Sequence, residues 1–75
     1  MLIAIVYKDG TSININTGTV EMTDVTLYDI QGRRLYSKSG VNATTTIVSG
    51  LQVQSEVLIV EVNTVKGKVS KKIIF

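Results

Sequence analysis

Few side chains in this 75-residue chain can do chemistry. The carboxylates Asp24 and Asp29, and Glu56 and Glu61, fall on expected strands or turns with no base or oxyanion donor paired to them, so general acid–base work lacks a partner. Cys and His are absent, which removes thiol redox chemistry, zinc ligation and imidazole catalysis together. Gly10, Gly32 and Gly67 stand singly at turns and do not form a phosphate-cradling loop before a helix. Asn42-Ala43-Thr44 fits the glycosylation acceptor pattern, a triplet short enough to arise by chance. The reading is of a chain that is not an enzyme and holds no cofactor and no metal.

What remains is a lysine pair in an apolar strand and an uneven distribution of charge. Val69-Ser70-Lys71-Lys72-Ile73-Ile74-Phe75 runs alternating and apolar to the last residue, whereas most chain ends fray into polar residues. Such an end is expected to be packed, recognised, or both. The net charge of +2 hides an asymmetry. Residues 1–32 carry Lys8 against Asp9, Glu21, Asp24 and Asp29, and residues 33–75 carry seven cations against Glu56 and Glu61. Arg33, Arg34, Lys38, Lys66, Lys68, Lys71 and Lys72 can attract phosphate or an acidic surface. Aromatic content of 5% supplies no stacking platform, so no nucleic acid is expected as a partner. The bland account of Lys71 and Lys72 is that they guard an edge strand against aggregation.

The elements that position these residues are bounded by length. A chain of 75 residues makes one small domain over residues 1–75, burying only about 60% of its unfolded surface. Hydrophobic residues at 44% and charged residues at 19% are globular proportions. No stretch approaches the roughly 20 apolar residues of a membrane span, so no transmembrane segment is expected. The opening Met1-Leu2-Ile3-Ala4-Ile5-Val6-Tyr7 reads as a strand, because its apolar run is short, lacks a basic start and enters a turn. Absence of cysteine leaves the compartment open.

Strand signals recur between turn residues near 2–8, 11–16, 24–29, 33–38, 43–48, 57–63 and 68–74, with no helical period anywhere. The expected fold is all-β, an antiparallel sandwich of about seven short strands. A two-residue Asp9-Gly10 turn sets Val6 opposite Ile13 and Ala4 opposite Ile15, leaving Ser12, Asn14 and Asn16 on the other face.

The second hairpin centres on Asp29-Ile30-Gln31-Gly32-Arg33, a type I turn closed by a left-handed Gly32. It sets Asp29 opposite Arg33 as an exposed pair, and Leu27 opposite Leu35, with Tyr28 and Tyr36 diagonal on the opposite face. The last hairpin turns at Lys66-Gly67 and leaves two registers open, with either Lys72 or Lys71 opposite Glu61. In either register Leu58, Val60 and Val62 fill the core, whereas Val57, Ile59 and one terminal isoleucine need cover from another segment or a partner.

The order Val25-Thr26-Leu27-Tyr28-Asp29-Ile30-Gln31-Gly32-Arg33-Arg34-Leu35-Tyr36, a polar spacer, Val57 to Asn63, and Lys71-Lys72-Ile73-Ile74-Phe75 resembles the C-terminal sorting domains of the type IX secretion system. The resemblance covers roughly residues 12–75 and rests on order and spacing. The commonest form of that family opens with Pro-Asn-Pro and carries a Gly-x-Tyr step, for which this chain has no proline and Gln54-Ser55-Glu56-Val57. The Val41-Asn42 spacer, the Leu58-Ile59-Val60-Glu61-Val62 run and the Lys-Lys-Ile-Ile ending are closer to the variant called the type C sorting signal.

The resemblance implies an immunoglobulin-like sandwich at the C-terminal end of a larger exported protein of the Bacteroidota. It would be read in the periplasm by the outer-membrane translocon and its shuttle proteins, and carried with its covalently attached N-terminal cargo to the cell surface or beyond. It places Tyr28, Asp29, Gly32 and Arg33 in a hairpin signature and Lys71, Lys72, Ile73, Ile74 and Phe75 in a recognised terminal strand. Two other classes fit the same composition. One is a free-standing β-sandwich adhesion or carbohydrate-binding module, disfavoured by the scarcity of aromatics. The other is a spacer that oligomerises through its edge, with the monomer the expectation.

Overall fold

The computed structural model describes residues 3–51 and 56–75, and every element in it is a strand. β1 (Ile5–Asp9), β2 (Ser12–Asn16), β3 (Met22–Asp29), β4 (Arg34–Ala43), β5 (Thr45–Val48), β6 (Val57–Thr64) and β7 (Gly67–Ile74) form two antiparallel sheets. One sheet has the order β1-β2-β5 and the other β4-β3-β6-β7. The chain passes between sheets from β2 to β3, β4 to β5 and β5 to β6, which brings β2 beside β5 and β3 beside β6. This is the Greek-key arrangement of an immunoglobulin-like sandwich. Leu2, within the expected first strand, and the Gln54-Ser55 step lie outside the described residues. Among the described residues no helix is long and apolar enough to cross a membrane.

Binary patterning builds the core. β6 alternates half-buried and buried residues without interruption, so Leu58, Val60 and Val62 face inward as their period of two requires. They meet Val25 and Leu27 of β3 and, from the opposing sheet, Ile13, Ile15 and Val48, all sealed from solvent. Phe75 belongs to the same cluster.

Three hairpins depart in register from the sequence expectation. In the first, Asp9 pairs with Ser12, so Gly10-Thr11 forms the turn and Ile13 lies opposite Lys8 and Ile15 opposite Val6. Gly10 alone has a positive φ there, +64°, as a type II′ turn needs at its first central position. The type I′ turn expected at Asp9-Gly10 would have slid the strands by two positions. Such a slide keeps every side chain on its own face, so hydrophobic pattern is blind to it.

In the second hairpin Leu27 lies opposite Tyr36 and not Leu35, because Leu35 is an extra residue between the Leu27 and Tyr28 pairings. The bulge leaves Leu35 exposed and turns Tyr36 onto the core, so Tyr36 does not share the outer face with Tyr28. A second irregularity sits beside Gly40 and Asn42, both with positive φ, where β4 continues past its expected end toward the other sheet.

The last hairpin adopts neither expected register. Thr64 pairs with Gly67 around Val65-Lys66, and Glu61 lies opposite Ser70, with Val60 opposite Lys71 and Ile59 opposite Lys72. The Thr64 hydroxyl sets the turn, accepting from the Lys66 backbone N–H at 3.1 Å and donating to the Gly67 carbonyl at 2.7 Å. The nearest cation to Glu61 is Lys68, diagonally placed at 3.9 Å.

Candidate functional site

β3 ends at the Asp29 turn, β6 starts beside it and β7 finishes beside β6. Asp29 is paired with Leu58, and Val57 with Ile74. The hairpin and the last strand, about forty residues apart in sequence, therefore share one end of the four-stranded sheet.

The turn is organised around the Asp29 carboxylate. Its Oδ1 accepts the backbone N–H groups of Gln31 and Arg33, each at 2.9 Å, and its Oδ2 accepts Nε of Arg33 at 2.7 Å. The main chain closes the same loop, with the Asp29 N–H donating to the Arg33 carbonyl and the Gly32 N–H to the Asp29 carbonyl, both at 3.0 Å. Gly32 takes φ +85°, which a Cβ would strain. The Arg33 backbone N–H, chiefly, together with the guanidinium and the Gln31 N–H, holds the Asp29 carboxyl below its ordinary value, although burial opposes this. Contrary to the exposed pair expected, only Arg33 is exposed; Asp29 is buried beneath the loop.

On the sheet's outer surface, one rung runs Arg34, Tyr28, Ile59, Lys72 across β4, β3, β6 and β7. At the usual strand spacing its two cations stand about 14 Å apart. Beyond it lie Val57, half-buried, and Ile74, 78% exposed, with Ile30 at the turn tip 70% exposed. A depression of about 220 Å³ between turn and strand is lined by Asp29, Ile30, Gln31, Arg33, Glu56 and Val57. The arrangement is an apolar strip edged by Arg33, Arg34 and Lys72, which suits a partner with an apolar, acidic surface.

The expected terminal-strand residues divide. Lys72 and Ile74 join Tyr28 on the outer face. Ile73 packs against the core, Phe75 is buried, and Lys71, exposed, stands on the inner side of the sheet between Val69 and Ile73. Phe75 is held twice, its N–H donating to the Glu56 carbonyl at 2.9 Å and its ring lying 5.1 Å from Nζ of Lys8. The expectation of a packed end thus holds for Phe75.

Sequence reasoning counted Arg34 among the cations and Ile30 in the hairpin run but assigned neither to the site. Ile30 carried a signal, since a large apolar residue at a turn tip displaces the small polar residues that turns prefer. Arg34 carried one too, because the register expected from the Asp29 turn already sets it opposite Tyr28, and the bulge at Leu35 lies beyond that pairing.

A family described as Domain of unknown function (DUF8694) matches residues 3–75. No curated protein matches the chain.

Proposed function

The chain belongs to the DUF8694 family, and we propose that it is a secretion-sorting domain of the type IX kind, an address read by an outer-membrane translocon and its shuttle proteins. One observation carries this reading. Residues of the hairpin signature and of the last strand, distant in sequence, converge on one end of one sheet, with Tyr28 and Lys72 on a single rung and Ile74 just beyond. A fold that needed these residues only for packing would bury them. Instead Lys72 and Ile74 stand in solvent, where they contribute little to stability and are free to meet a partner.

In this role the sandwich is a rigid carrier. Asp29 and Gly32 shape the turn, Phe75 pins the last strand against β6, and the surface between them is presented to the translocon while the attached cargo crosses. The test is a fusion of residues 1–75 behind a periplasmic reporter in a type IX-competent bacterium. The fusion is expected at the cell surface, and the K72A/I74A variant in the periplasm. Retention of a folded, intact unmutated fusion in the periplasm would count against the reading.

A second reading, a free-standing adhesion or carbohydrate-binding module, draws on the other sheet. Its outer face exposes Ile5, Tyr7 and Ile47 around Asn14 and Asn16, in an open groove of about 660 Å³. Under that reading Tyr7→Ala removes binding to a glycan surface and leaves reporter transport irrelevant. The single exposed tyrosine there is a small platform for a sugar ring, which is why sorting is preferred.

A further inference from the structure

The ladder between β6 and β7 determines which backbone groups of β7 are free. In an antiparallel pair, residues alternate between those bonded to the partner and those turned away. Phe75 donates to Glu56, its opposite number in the β6–β7 register. By alternation Ile73, Lys71 and Val69 also bond to β6, while the N–H and C=O groups of Lys68, Ser70, Lys72 and Ile74 point outward from the sheet edge. No described strand pairs with that edge. β1 approaches it from the inner side, where Lys8 reaches Phe75, without a backbone hydrogen bond between the strands.

The same four residues project their side chains onto the outer face. Any strand added here meets two lysines, a serine and the exposed Ile74 on that face, and Lys71 on the other. A second copy of β7 would set lysine against lysine, so self-pairing is disfavoured by charge. A strand that only guards its edge would not leave an isoleucine 78% exposed at the end of it.

We propose that the outward edge of β7 is a strand-addition site for an acidic, extended segment of a partner protein, paired antiparallel. The segment carries carboxylates opposite Lys68, Lys71 and Lys72, and apolar residues opposite Val69, Ile73 and Ile74. Backbone pairing supplies the affinity and the lysines select the charge. This deepens the sorting reading, on which it rests for the identification of β7 as a recognised strand.

The probe is the blocked heptapeptide Val-Val-Glu-Glu-Thr-Val-Glu, with its Lys-for-Glu counterpart as control, titrated into the full chain. Amide hydrogen exchange is read residue by residue. The acidic peptide is expected to slow exchange at Lys68, Ser70, Lys72 and Ile74 and to leave Val69, Lys71 and Ile73, already bonded to β6, unchanged. Raising salt from 50 to 500 mM should weaken binding roughly tenfold. The K68E/K72E variant, altered only at exposed positions, should reverse the preference between the two peptides. No protection at the four amides at millimolar peptide, protection of some other edge, or equal binding of both peptides would overturn the proposal. The two readings fail separately. Peptide binding with no reporter transport removes the sorting role and keeps the docking site, and transport with no peptide binding does the reverse.

Discussion

Arg33 donates twice to Asp29, through its backbone N–H to Oδ1 at 2.9 Å and through Nε to Oδ2 at 2.7 Å, so one carboxylate holds both the main chain and the side chain of the residue that closes the turn. The Arg33 backbone bond is the largest reason that the Asp29 carboxyl lies below its ordinary value of 3.8. Because the folded state lowers this value, the stability that Asp29 supplies is complete above the ordinary value and is lost as pH falls through the folded one. Urea midpoints of the wild type and Asp29→Asn should therefore differ clearly at pH 6 and converge as pH falls toward 2. A difference that is constant across this range would show that the charge is not what holds the turn.

Gly32→Ala isolates backbone strain at the same turn. A Cβ there meets nothing within 4 Å, so the cost comes only from the φ of +85°. The expected loss is about 1 kcal/mol, with Gly32→Asn losing less because asparagine tolerates the left-handed region. In a domain of this size that is a fall of roughly 4–8 °C in Tm, measurable by circular dichroism.

The bulge makes opposite forecasts for two leucines on neighbouring strands. Leu27 is sealed in the core, and its truncation to alanine should cost about 2–5 kcal/mol. Leu35 is 37% exposed, and the same truncation should cost under about 1 kcal/mol. Equal losses in chemical denaturation would mean that Leu35 faces inward, opposite Leu27.

Phe75 and Ile74 separate packing from recognition. Phe75→Ala empties a buried site and should cost about 3–5 kcal/mol, a large part of the stability of so small a domain. Ile74→Ala should change stability by less than about 0.5 kcal/mol, and under the sorting proposal it lowers reporter transport while the fusion stays folded. Deleting both residues would confound the two effects. Thermal melts beside reporter localisation make the distinction.

Much of the fold was legible because its signals are local. The alternation of Leu58, Val60 and Val62 marks a half-buried strand whatever its neighbours are, and Asp29 followed by Gly32 specifies a loop from short-range sterics and hydrogen bonding. Tyr36 was misplaced, since a single bulged residue upstream reverses the face of everything after it. The site was legible in part. Tyr28, Arg34, Lys72 and Ile74 were named from the chain, while the rung that joins Arg34 and Tyr28 to Lys72 became visible only once β6 and β7 had a register.

By itself the sequence determined that the chain folds as strands, roughly where it turns, and which residues of the unbulged strands β2 and β6 face the core, because those outcomes follow from periodicity and from the φ preferences of individual residues. Only the tertiary structure decided which residues stand opposite one another. A slide of two positions leaves every face unchanged, so hydrophobic burial cannot select against it, and turn geometry such as that at Gly10-Thr11 and Thr64 makes the choice. That choice puts Ser70 opposite Glu61 and Lys72 on the rung of Tyr28. It also turns the backbone of Lys68, Ser70, Lys72 and Ile74 outward.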